Sequence, residues 1–243
     1  ERQDFFGLRD LYVTVRMLAA RLRDTDEDLS PQLLINVIRK NFGGVTMAIL
    51  DNIVRMFVTR CFGEATAVLA CSDLAATMGA NELRLVQEQM TLGPDRSIDG
   101  RYLLVMTEGH LAKGVLENQG MLTDAVVLYG SSFQQDQSLD TLSRNVHTIK
   151  SCMQFGRMVV LLDLSTLYES LYDLLNMSFN YSNGHRWVEL GLGTERVGCQ
   201  VHPEFRLVVI ADTNEVKNLF PIPLLNRFSK RLITLDTVVP PDA

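Results

Sequence analysis

Apolar residues recur at helical spacing through the first part of the chain, to about Leu92, and then change period. Phe5, Phe6, Leu8, Leu11, Tyr12, Val15 and Leu18 repeat at three- and four-residue intervals and predict a helix ending near Arg23. An acidic turn follows from Asp24 to Asp28. Ser30-Pro31 is a helix start, with serine as N-cap and proline at the first helical position, where its missing N–H costs nothing. Leu33, Leu34, Val37 and Ile38 form one face of that helix, and Asn41-Phe-Gly-Gly44 stops it. Further helices are predicted from Thr46 to about Cys61, Ala65 to Met78 and Glu82 to Met90, and Leu92 to Gly100 (LGPDRSIDG) reads as a linker.

Beyond Gly100 short apolar runs alternate with helical patterns, which predicts a parallel sheet with helices on both sides. Strands are expected at Arg101–Met106, Ala125–Leu128 and Arg157–Asp163, with helices at about His110–Asn118 and Asp136–Phe155 between them. Thr166 to Phe179 reads as an amphipathic helix, and Trp187–Leu190 with Arg196–Val201 as a hairpin around Gly191-Leu-Gly193. Arg206-Leu-Val-Val-Ile210 is a strand buried on both faces, followed by a short helix and a last strand at Leu232–Leu235. The expected fold class is therefore α/β, with a helical part at 1–92, a linker at 93–100 and a sheet-containing core at 101–243.

Composition narrows the function classes. Hydrophobic content of 47% and charged content of 21% belong to a packed globular chain. A formal charge of -6 argues against a general grip on nucleic acid, which needs clustered Lys and Arg. No apolar run approaches the roughly 20 residues of a membrane span. Cys61, Cys71, Cys152 and Cys199 are scattered, as are the four histidines, so no metal site is expected and the thiols are expected reduced. The chain starts at Glu1 in no signal-like context and stops just past a strand, which reads as a piece of something longer.

The candidate chemistry centres on Phe205 to Phe228, FRLVVIADTNEVKNLFPIPLLNRF. Asn214 sits just beyond the carboxyl end of a strand, where open α/β sheets place their sites. Arg227 is a single arginine held between apolar residues. A phosphate-cradling loop after the first strand would need several glycines and a Lys-Ser/Thr pair. The turn present is Thr107-Glu-Gly-His-Leu-Ala-Lys113-Gly114, in which Glu108 is repulsive to phosphate and Lys113 reads as a solvated helix lysine.

The order of these motifs resembles that of AAA+ ATPases, in which a sensor strand ending in Asn precedes an arginine finger in an L-L-N-R-F context. The resemblance implies that Arg227 reaches a phosphate on an adjacent module and that Asn214 is a vestigial sensor. It also makes Asp163-Leu164 a degenerate version of the Asp-Glu pair that binds magnesium and orients water. The alternatives that the residues leave open are that Arg227 is an ordinary surface arginine beside a core Leu-Leu, against which the preceding strand and the Pro-x-Pro turn count, and that Asp163 caps the helix that begins near Thr166. Phe5-Phe-Gly-Leu-Arg9-Asp10-Leu-Tyr12 resembles the stretch that opens an AAA+ lid, whose arginine senses the nucleotide of the preceding core; otherwise Arg9 pairs with Asp10 or Asp4.

Longer stretches make the resemblance more specific. Phe5–Tyr12, Arg101–Val105, Gly130–Phe133, Gly156–Leu162, Leu167–Asp173, Glu189–Thr194 and Phe220–Arg227 are similar to the mysterin family of giant AAA+, RING-containing E3 ubiquitin ligases. The similarity covers nearly all of the chain, strongest from Gly156 to Arg227 and weakest from Gly43 to Gly100. It implies a helical AAA+ lid followed by a degenerate AAA+ core, within a dynein-like ring of modules in one chain. ATP and magnesium would sit in the neighbouring module, touched by Arg9 and Arg227, and none in this core. Zinc would belong only to parts of the parent outside this chain. The implied partners are adjacent AAA+ modules and, through the parent, a ubiquitin-conjugating enzyme and ubiquitin. The implied location is the cytoplasm, with lipid droplets. Two other readings remain open at this point, an independent ATPase with an unusual loop around Lys113 and a purely structural or protein-interaction segment.

Overall fold

The computed structural model describes residues 5–25, 28–72, 82–91, 101–130, 133, 138–192 and 195–238. The expected linker at 93–100 lies outside the described residues, as do residues 73–78 of the helix expected from Ala65 to Met78, whose described part stops at Ala70 with Cys71 as C-cap.

Among the described residues the first part has five helices: α1 (Leu8–Thr25), α2 (Pro31–Asn41), α3 (Met47–Phe62), α4 (Glu64–Ala70) and α5 (82–91). Ser30 caps α2 as its spacing predicts, its hydroxyl accepting the Leu33 N–H at 3.2 Å. Leu34, Ile35, Ile38, Leu50, Val54 and Val58 close a core between α2, α3 and α4. Val13 and Met17 of α1 pack separately on Val37 of α2.

The second part is built on five parallel strands. In chain order these are β1 (Tyr102–Thr107), β2 (Val126–Tyr129), β3 (Met158–Leu162), β7 (Arg206–Asp212) and β8 (Phe228–Ile233). Their spatial order is β2-β3-β7-β1-β8. Alternate residues of β1 face opposite sides, as the pleat requires. Leu104 and Met106 pack with Ile149 and Met153 of α7 (Leu139–Phe155). Leu103 and Val105 pack with Ala112 and Leu116 of α6 (Leu111–Asn118) and with Val86 and Met90 of α5. Each such fully buried side chain contributes roughly 1.5–3 kcal/mol. The sheet, covered on both faces, is why its strands read as continuous apolar runs.

Three expectations are corrected. Thr166–Phe179 is not one helix but a 3₁₀ turn (Ser165–Leu167) and a single α-turn, α8 (Tyr172–Leu175), ending at Met177 with φ 57°. The hairpin gains a strand: β4 (Asn180–Ser182) pairs with β5 (His185–Leu192), which pairs with β6 (Glu195–Val201). The last strand is β8, which begins four residues earlier than expected, and Leu235–Val238 is a helical turn, α11. Between β7 and β8 lie α9 (Thr213–Asn218) and α10 (Ile222–Leu225). No helix among the described residues is long and apolar enough to cross a membrane.

The helical part and the sheet meet through charges. Asp10, fully buried, accepts from the Gly7 N–H (2.9 Å), Arg101 Nη1 (2.6 Å) and Lys230 Nζ (3.1 Å). Arg101 also donates to Asn41 Oδ1 at 2.9 Å, and Lys230 lies over the rings of Phe5 and Phe6. Arg231 donates to the carbonyls of Arg39 (2.9 Å) and Lys40 (2.7 Å) at the end of α2, a site that also suits a cation against the helix dipole.

Candidate functional site

Two of the four residues singled out by sequence meet at one amide. Leu224 and Leu225 anchor α10 in the core, and the chain turns through Asn226-Arg227 into β8. Arg227 is thereby held at 7% exposure, not on an open surface. Its Cζ stacks 3.6 Å from the Tyr172 ring centroid, its Nε donates to Asn176 Oδ1 at 3.0 Å, and its Nη1 donates to the Pro223 carbonyl. Arg9, in the first turn of α1, donates from Nη1 to the same Asn176 Oδ1 at 3.3 Å and from Nη2 to the Asn176 carbonyl at 3.5 Å. Gly7 lets α1 approach this closely, because a Cβ there would press on the Asn226 amide at 2.7 Å.

Among the described residues, neither guanidinium forms an ion pair with a carboxylate. Asp10, one of the partners considered for Arg9, turns instead to Arg101 and Lys230; Asp4 lies outside the described residues. Burial first, then the positive charges of Arg227 and Arg101, hold the Arg9 guanidinium below its ordinary pKa, while Asp10 and Tyr172 pull it back. Two like charges held at one acceptor suit an anion that can share them, and guanidinium forks fit phosphate oxygens well.

Asp163 and Asn214 lie elsewhere, at the carboxyl ends of β3 and β7. The turn between β1 and α6 has three residues, Glu108, Gly109 and His110. It is tied down from β7: Asp212 Oδ2 accepts the Gly109 N–H at 3.2 Å, and Thr213 Oγ1 donates to the Thr107 carbonyl at 3.0 Å. Thr107 Oγ1, where a loop could otherwise open, accepts the Ala112 N–H at 3.1 Å. Lys113 is paired with Glu117 at 2.7 Å on its own helix.

Asp163 does not cap the following turn, which has Leu164 at its N-cap and no side-chain capping bond. It takes φ 53° instead, and its carbonyl packs so tightly on Gly130 that a Cβ at 130 would collide with it. Loss of hydration pushes the Asp163 carboxyl up, His110 pulls it down, and Asp212 pushes it up again. Glu215 is raised by burial, then by Asp163 and Asp212. Asn214 is exposed in the first turn of α9, its N–H donating to the Asp212 N-cap carboxylate at 2.8 Å. Against burial, the N–H groups of Asn214, Gly109 and Glu215 keep the Asp212 carboxyl below its ordinary value. This end of the sheet gathers the carboxylates of Asp163, Asp212 and Glu215 beside a short turn held by hydrogen bonds.

Sequence reasoning missed Asn176, Tyr172 and Asp212, and considered Asp10 only as a partner of Arg9 rather than of Arg101 and Lys230. One signal was available for the first: Leu174-Leu175-Asn176 and Leu224-Leu225-Asn226 are the same three residues, each ending a one-turn helix. Asp212 is an ordinary Asp-x-Asn N-cap signal at a strand end.

The five-stranded parallel sheet, covered by helices on both faces, defines an α/β core of the AAA+ class. A family model described as the RNF213 AAA domain matches residues 95–239, and the chain belongs to that family. It is the family to which the motif resemblance pointed. The chain is 37% identical to an E3 ubiquitin-protein ligase RNF213 from Mus musculus and to one from Homo sapiens, in each case over 98% of its length. It is 33% identical over 99% of its length to E3 ubiquitin-protein ligase rnf213-beta from Danio rerio. It spans only 4–5% of the length of these relatives.

Proposed function

We propose that this chain is a segment of the AAA+ ring of a giant E3 ubiquitin-protein ligase, and that it serves the ATP site of the module before it. In this reading residues 1–92 are the lid of that preceding module, 93–100 a linker, and 101–243 a core that holds no nucleotide of its own. The observation that carries the reading is the place of the two arginines. Arg227 immediately precedes β8, whose first residue lies beside Tyr102 at the start of β1. Arg9 and Arg227 therefore gather at the amino ends of the strands, and the carboxylates of Asp163, Asp212 and Glu215 lie at the carboxyl ends. Among the described residues neither arginine has a carboxylate partner, and their positive charge stands away from this core's own sheet top.

ATP with magnesium, bound in the preceding module, would supply the phosphoryl group. Arg9 and Arg227 would place positive charge against its oxygens as negative charge develops. Ubiquitin and a ubiquitin-conjugating enzyme would be partners of the parent, whose zinc lies outside this chain; cytoplasmic placement and lipid-droplet association go with that parent as well.

The test is ATP turnover of the full-length protein. Arg227→Ala is expected to lower it on the order of 10³-fold, as for arginines acting across a junction. Arg227→Lys keeps the charge, loses the fork and is expected to lower turnover as well. Normal turnover in both variants overturns the reading. One observation favours a second one: Arg227 is buried and bonded to Asn176 and Pro223, as a purely structural residue would be. Loss of melting temperature without loss of turnover would select it.

A further inference from the structure

We propose that Asn176 is a positioning residue, the shared amide through which the Tyr172–Asn176 turn aims Arg9 and Arg227 together at an anionic phosphate. The inference rests on the reading of these arginines given above and adds a residue to it.

The geometry is specific. Asn176 ends α8, its N–H donating to the Tyr172 carbonyl at 2.9 Å, so ring and amide stand one helical turn apart on the same side. Met177, at φ 57°, stops the helix there, and Leu174 and Leu175 fix the turn from below in the core. The ring supports the flat face of the Arg227 guanidinium, Oδ1 accepts a hydrogen bond from its Nε and the Pro223 carbonyl accepts from its Nη1, so three contacts set the plane and direction of the fork. The same Oδ1 takes an Arg9 proton, so one atom orients cations from two distant parts of the chain.

The side chain at 176 is an amide rather than a carboxylate, and the difference decides what the cluster can do. An amide oxygen orients a guanidinium without cancelling its charge. A carboxylate in the same place would pair with both arginines in charge-assisted bonds and compete with any incoming phosphate. Asn176→Asp therefore separates two quantities that usually move together. It is expected to raise the melting temperature by relieving the repulsion between Arg9 and Arg227, and to lower ATP turnover. A purely structural residue would move stability and turnover in the same direction.

The experiment measures melting temperature and ATP turnover of the full-length protein as Asn176→Asp, Asn176→Ala, Arg227→Ala and the double variant Asn176→Ala/Arg227→Ala. Asn176→Asp should melt higher and turn over more slowly, by about tenfold to a hundredfold, as misaimed groups do. Asn176→Ala should slow turnover in the parent background and slow it by a clearly smaller factor once Arg227 is alanine, because only its action through Arg9 is then left to lose. A fall for Arg227→Ala alongside normal turnover in Asn176→Asp would overturn this inference and leave the earlier reading standing. Normal turnover in Arg227→Ala would remove the earlier reading itself. Additive effects in the double variant would show that Asn176 acts by some route other than Arg227 and would also overturn the inference.

Discussion

Asp10 receives a backbone N–H and two cations, from 91 and 220 positions further along the chain, while it is wholly removed from water. Such a group is costly to bury alone, and so are its partners once it is gone. Asp10→Ala is expected to destabilise the fold by about 3–5 kcal/mol, read from urea denaturation, because Arg101 and Lys230 would be left buried beside an empty space. Asp163 behaves in the opposite sense. Its folded-state pKa is raised, so its charge works against folding at neutral pH, and that penalty fades as pH falls through the folded value towards the ordinary 3.8. Asp163→Asn, which also suits the left-handed φ, is expected to raise the melting temperature at pH 7 and to have no benefit at about pH 3. A thermal melt at the two pH values checks both sign and window.

At the scale of elements, the strands buried on both faces and the capped helix α2 were legible in the sequence, because solvent exclusion and capping each leave a local pattern. The elements that were misread lacked one. Leu167, Leu171, Leu174 and Leu175 do recur at helical spacing, but the positive φ at Met177 breaks the run and the chain after it becomes β4, an exposed strand with no apolar alternation. β8 was displaced because it carries Ser229, Lys230 and Arg231, polar residues that a pattern reading assigns to the surface. They are buried because tertiary partners await them on α1, α2 and α5, which no local window contains. The candidate site divides the same way. Arg9 and Arg227 stood out by motif, whereas Asn176 joins them only through contacts that span 167 and 51 positions.

For the whole molecule, the junction of helices and sheet decides whether the two parts are separable. Asp10 holds Arg101 and Lys230, the end of α2 holds Arg231, and Gln89 of α5 donates to Ser229 at 2.6 Å. Residues 101–243 alone would expose Lys230 and Arg231 of β8 without the Asp10 carboxylate and the α2 carbonyls that receive them. That shortened chain is expected to give no cooperative thermal transition by circular dichroism, whereas residues 1–243 unfold in a single step. The same junction has a mechanical meaning. With cations at the root of β1 and β8 clamped to the start of α1 and the end of α2, there is no slack between these helices and the sheet. A push on α1 arrives at the edge of the sheet as displacement rather than being absorbed by a bending joint, so the two parts swing as one stiff lever.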